Sequence, residues 1–178
     1  MSSKGSLKFK KQQLYKLFID GLGDTVAKHS DIDKSPLLVD LKPPYPLRIR
    51  VYLYNCTNPP GGRALDEYKI QIILPGQTRG TRGSLDFSDE RMPVLAAYTV
   101  VGDDISDGVF ILWDPFIRED FAYSTNMQVK SETIIKALSE TVAFSRRSNG
   151  EIILAARPQH LYEAIRTRVD ILANNARG

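Results

Sequence analysis

Residues 47–54 alternate without a break, with Leu47, Ile49, Val51 and Leu53 on one side and Arg48, Arg50, Tyr52 and Tyr54 on the other. A period of two puts these sets on opposite faces of a β-strand, here a basic, aromatic face turned outward from an aliphatic one. Further runs of strand length follow at 68–74, 94–101, 109–113, 142–147 and 151–156, each bounded by turn residues. The Asn149-Gly150 pair between the last two is a strong hairpin signal. Helical spacing is confined to three places. Residues 7–19 set Leu7, Leu14, Leu17 and Phe18 against Lys8, Lys10, Lys11 and Lys16, predicting an amphipathic basic helix. A short helix is expected from Ser131, which can serve as its N-cap, and a closing helix opens at Pro158 with Leu161, Ala164, Ile165, Val169 and Leu172 as its apolar stripe. Residues 20–46, punctuated by Gly21, Gly23, Pro36, Pro43, Pro44 and Pro46, read as irregular connection with a short strand at 37–41. The pattern predicts a mainly β domain with flanking helices (α+β), a sandwich or a barrel whose open ends the helices close.

A chain of 178 residues is enough for one core and short for two, so a single domain over 1–178 is expected. Its net charge of +3 is small but uneven: about +5 over 1–50, about −5 over 51–120 and about +3 thereafter. Non-specific nucleic-acid binders carry a stronger basic bias, so nucleic acid would have to meet a local basic face. One cysteine, Cys56, excludes an internal disulfide. No apolar run approaches the roughly 20 residues that span a bilayer, and a cytoplasmic protein without membrane association is expected.

Two polar loops stand out as arms held by strands. The first, 55–63, carries Asn55, Thr57, Asn58 and Arg63 around a Pro-Pro-Gly-Gly core, stiff on one side and free on the other. The second, 118–130, carries Arg118, Tyr123, Thr125, Asn126, Gln128 and Lys130. Arginine suits guanine, Asn or Gln suits adenine, and a carboxylate suits cytosine in a major groove about 12 Å wide. Arg48, Arg50, Arg79 and Arg82, with Arg146 and the N-terminal lysines, are candidates for phosphate contact.

Residues 62–71, Gly-Arg-Ala-Leu-Asp-Glu-Tyr-Lys-Ile-Gln, resemble the stretch Arg-Pro-Asp-Glu-Tyr-Arg-Ile-Gln of the DNA-recognition domains of certain bacterial restriction endonucleases, with Ala64-Leu65 in place of the usual Pro. Those domains are similar to the plant "B-three" fold. The resemblance spans roughly 45–170 and implies a seven-stranded open pseudobarrel over 46–174, ending in the closing helix, behind a helical and irregular N-terminal extension, 1–45. It also implies sequence-specific binding of double-stranded DNA by two major-groove arms, in a target-recognition domain of a type II-like restriction endonuclease. On this reading the chain itself is non-catalytic, needs no metal or cofactor, and leaves cleavage to a nuclease or helicase domain or subunit.

Two other classes compete. Glu67-x-Lys69 on a strand is half of a magnesium-dependent nuclease signature, with Asp40 as the upstream carboxylate; the same two side chains also suit a surface ion pair. A protein-interaction domain using the acidic middle is the third. His29 and His160 are far apart, so no zinc spacing or Cys-His pair is present.

Overall fold

The computed structural model describes residues 8–58, 67–117 and 120–177. Among them the elements run α1 (Lys11–Leu22), β1 (Val26–His29), β2 (Leu37–Leu41), β3 (Arg48–Asn55), β4 (Glu67–Ile72), β5 (Arg82–Gly83), β6 (Met92–Val100), β7 (Gly108–Trp113), β8 (Phe121–Ala122), β9 (Thr125–Lys130), α2 (Ser131–Lys136), β10 (Ala143–Arg146), β11 (Ile152–Ala156) and α3 (Leu161–Arg177). None of these helices is long and apolar enough to cross a membrane.

Seven strands make one mixed sheet in the order β1-β2-β3-β6-β7-β11-β10, while β4 pairs with β9 and β5 with β8 in two small ladders. All neighbours in the large sheet are antiparallel except β3 and β6, which run parallel from Ile49 beside Met92 to Asn55 beside Tyr98. The protein is mostly β with a few helices, as its pattern predicts, but the seven-stranded sheet does not close: β1 and β10 are its edges.

Both faces of that sheet are covered. On one, Leu14, Phe18 and Leu22 of α1 and Leu161, Ala164 and Ile165 of α3 pack on Ile49, Val51, Leu53, Ala96, Phe110 and Leu112. On the other, Ile70 and Ile72 of β4, Met127 and Val129 of β9 and Ile134 of α2 pack on Tyr52, Leu95, Ile111, Trp113 and Ile153. Central strands buried on both faces lose the in–out alternation of a half-exposed strand, and every residue of β7 is buried.

The second layer overturns the expectation that Arg50, Tyr52 and Tyr54 face outward. Both tyrosines lie beneath it, and Arg50 is 5% exposed. Its guanidinium donates to the carbonyls of Asp86 (2.7 Å) and Ser88 (3.2 Å) and pairs with the carboxylates of Asp86 and Asp89. A buried charge needs such partners, and here they fasten the 86–89 loop to β3. Arg48 stays exposed, donating to the Asp89 carbonyl at 3.0 Å.

Four strands have no counterpart in the sequence pattern, β1, β9 and the two-residue β5 and β8, and the helix boundaries shift slightly. Lys130, not Ser131, is the N-cap of α2. Gly23 at φ 56 ends α1, a left-handed conformation that glycine adopts without Cβ strain. The Asn-Gly turn joins β10 to β11 as expected, with Gly150 at φ 89.

Candidate nucleic-acid interface

Strands β4 and β9 form a two-stranded ribbon with two unlike faces. Tyr68, Ile70 and Ile72 lie opposite Val129, Met127 and Thr125, and Glu67, Lys69 and Gln71 lie opposite Lys130, Gln128 and Asn126. Period-two alternation in both strands makes the division, because each strand sets its apolar residues on the side that docks. Ile70, Ile72, Met127 and Val129 are buried against the sheet. The Trp113 indole N–H donates to the Gln128 carbonyl at 3.1 Å and holds β9 in register from below.

The opposite side is a polar ridge of three carboxamides, two ammonium groups and one carboxylate. Successive side chains along each strand are about 6.8 Å apart, twice the strand rise. The Lys130 ammonium lies 3.5 Å from the Glu67 carboxylate, a cross-strand pair at the ridge's end. Thr57 extends the ladder beyond β4, exchanging backbone bonds with Lys69 at 2.9 and 2.8 Å.

A depression flanks each long side of the ridge. One, of about 400 Å³, is walled by Lys8, Tyr54, Thr57, Lys69 and Gln71. The other, of about 250 Å³, is walled by Gln128, Lys130, Ser145, Arg146, Arg147 and Ser148. Arg147 stands 3.8 Å from the fully buried Glu151 carboxylate. Behind the first depression the Lys11 amine lies 4.0 Å from the centre of the Tyr54 ring and donates to the Leu53 carbonyl. The residue as a whole is exposed, but its amine is held against that ring, and burial there pushes its pKa down to about 8.

The candidate residues sort as follows. Thr57, Asn126, Gln128 and Lys130 come together on or beside the ridge, joined by Lys69 and Gln71, which the sequence reading did not place among the DNA contacts. Their signal was available in the alternation of both strands. Asn55 lies next to the ridge but its carboxamide is engaged: it accepts from the Phe9 N–H at 2.8 Å and donates to the Phe9 carbonyl at 2.9 Å. Thr125 sits on the ribbon's inner side with its hydroxyl donating to the Ala122 carbonyl at 2.7 Å, and Tyr123 is half-buried in the turn before it. Asn58 is half-buried just beyond Thr57. Arg79 is exposed in a separate turn, and Arg82 pairs there with Asp120 at 2.6 Å. Arg63 and Arg118 lie outside the described residues.

The nuclease alternative asked for a second carboxylate beside Glu67. Asp40, its candidate, is in β2, 2.8 Å from Arg91, and no group of three metal-ligating side chains occurs among the described residues.

A family model described as methylase-associated X1 matches residues 47–165, from the approach to β3 into α3, and so includes both strands of the ribbon. No curated protein and no solved structure matches the chain.

Proposed function

Because the chain belongs to the methylase-associated X1 family, we propose that it serves a restriction–modification system as a sequence-specific reader of duplex DNA, choosing the site on which a partner methylase or nuclease acts. The observation that carries this reading is the in-register polar ridge of the β4–β9 ribbon. A major groove about 12 Å wide admits a two-stranded ribbon, and the ridge offers the side chains that discriminate base edges there. Asn126 and Gln128 have the bidentate geometry for adenine, and Glu67 can accept from cytosine. Lys130, Arg146 and Arg147 beside β9 suit one phosphate strand, which fixes register without reading sequence.

The finer likeness to the two-armed pseudobarrel readers belongs to the same proposal. Its support is that Thr57 of the first expected arm bonds to Lys69 of β4, which pairs in turn with β9 at the end of the second. The ridge reads without a cofactor, and catalysis falls to the partner.

Selection of bound duplexes from a randomised library, in chelator, tests the reading. A short fixed site should emerge, and Gln128→Ala should relax preference at one position by about 1–3 kcal/mol. Absence of any enriched site, with binding that vanishes as salt rises, would refute base readout.

A further inference from the structure

The depression between the N-terminal segment and the ribbon has a composition that base reading does not explain. Lys8 and Lys69 both line it, and neither has a carboxylate partner among the described residues. Elsewhere in the chain Arg48, Arg50, Arg82 and Arg91, and across the ribbon Lys130, are each within 4 Å of an acidic side chain. Among the described residues no Asp or Glu lines the depression. The Thr57 hydroxyl and the Gln71 carboxamide, on the same wall, also have no protein partner among the described residues.

Lys8 reaches this wall through a specific device. The Asn55 carboxamide bonds both the N–H and the carbonyl of Phe9, a two-point clamp on the backbone next to Lys8. Its position at the end of β3 ties the segment before α1 to the rim of the ribbon. Two positive charges beside a concave wall that carries no acidic side chain among the described residues repel each other, and an anion between them offsets that repulsion.

We propose that this depression is a phosphoryl-binding subsite. Lys8 and Lys69 supply the charge, Thr57 and Gln71 the directional hydrogen bonds, and Asn55 acts as a positioning residue for Lys8. The volume of about 400 Å³ leaves room beside the phosphoryl group for the sugar that carries it. A phosphate of the duplex backbone and a phosphate of a free nucleotide share this chemistry. The site goes beyond base recognition and stands or falls separately from it.

The test uses the full chain. Duplex binding is followed by anisotropy across a salt series for the wild type, Lys69→Gln and Lys69→Arg, and inorganic pyrophosphate is titrated in parallel by amide NMR. Lys69 points outward from the ribbon, so both variants should keep the wild-type far-UV spectrum. For a backbone phosphate, Lys69→Gln weakens every sequence alike and reduces the slope of log K against log salt by about 0.9, Lys69→Arg restores it, and pyrophosphate leaves the spectrum unmoved. For a free phosphoryl ligand, pyrophosphate shifts the Thr57 and Lys69 amides saturably and Lys69→Gln abolishes the shift. Duplex binding with an unchanged slope and no pyrophosphate response overturns the subsite while leaving base reading intact. Pyrophosphate binding without any duplex binding does the reverse.

Discussion

Ile72 and Gln71 are adjacent in β4 and face opposite ways, so replacing each with alanine tests the division of the ribbon on which the functional reading rests. Ile72 is fully buried against the sheet, and Ile72→Ala removes three carbons at about 0.8 kcal/mol each, roughly 2.4 kcal/mol of transfer energy. A residual void of roughly 60 Å³, at about 24 cal/mol per Å³, adds up to about 1.4 kcal/mol if the site does not collapse. The expected loss is therefore about 2.5–4 kcal/mol. With a urea m-value of about 2 kcal/mol/M, the midpoint falls by roughly 1.2–2 M. Gln71→Ala, on the exposed face, should change stability by less than about 0.5 kcal/mol. Urea unfolding followed by fluorescence is the assay, since Trp113 is the only tryptophan and donates to the ribbon's Gln128 carbonyl. A cost below about 1 kcal/mol for Ile72→Ala, or an equal cost for both variants, would mean that the ribbon does not dock by this face and that its ridge is misassigned.

Two other outcomes follow from local geometry. A Cβ at Gly108 would lie 2.4 Å from the Tyr98 hydroxyl and 2.6 Å from the Thr99 carbonyl, so Gly108→Ala should destabilise the chain by about 1–3 kcal/mol in thermal unfolding, and an unchanged midpoint would refute the close approach. The Lys11 amine, depressed to about 8 by burial, binds its proton less tightly folded than unfolded; stability should therefore rise with pH from about 8 to about 10.4, the unfolded value, and level off above it. Subtracting urea-unfolding profiles of Lys11→Met from those of the wild type isolates this contribution, and a flat difference across the window would count against it.

The sequence made the core strands legible and misjudged what lies over them. Residues 47–54 do form β3 with the expected alternation, but a second layer covers the side that carries Arg50, Tyr52 and Tyr54, and local periodicity cannot register a layer supplied from elsewhere in the chain. Arg50 shows the ambiguity well, because an arginine on an alternating strand reads as solvated until Asp86 and Asp89 close over it. Strand β9 was readable in principle, since Met127 and Val129 alternate with Asn126, Gln128 and Lys130, yet the density of polar residues made it look like a loop. Strand β1 carries only Val26 and Ala27 as apolar residues and pairs on one side alone, so it left little trace. Of the candidate contacts, those adjacent in β9 were found together. Lys69 and Gln71 were missed because the face they share with β9 exists only once residues about sixty positions apart have paired.

The parallel step from β3 to β6 forces the chain to leave the sheet between residues 56 and 91, and it leaves again between β7 and β10, residues 114–142. Each excursion contributes one strand to the ribbon and one to the β5–β8 ladder, so neither makes a surface by itself. Under the proposed function, this sets how variation in target can be inherited. A single exchanged excursion would break the register of both ladders, whereas recombination at the end of β3 and the start of β10 would carry the two together, along with β6 and β7 between them. Variation would then be inherited as matched pairs of segments together with the two central strands that join them, on a frame of β1–β3, β10, β11, α1 and α3.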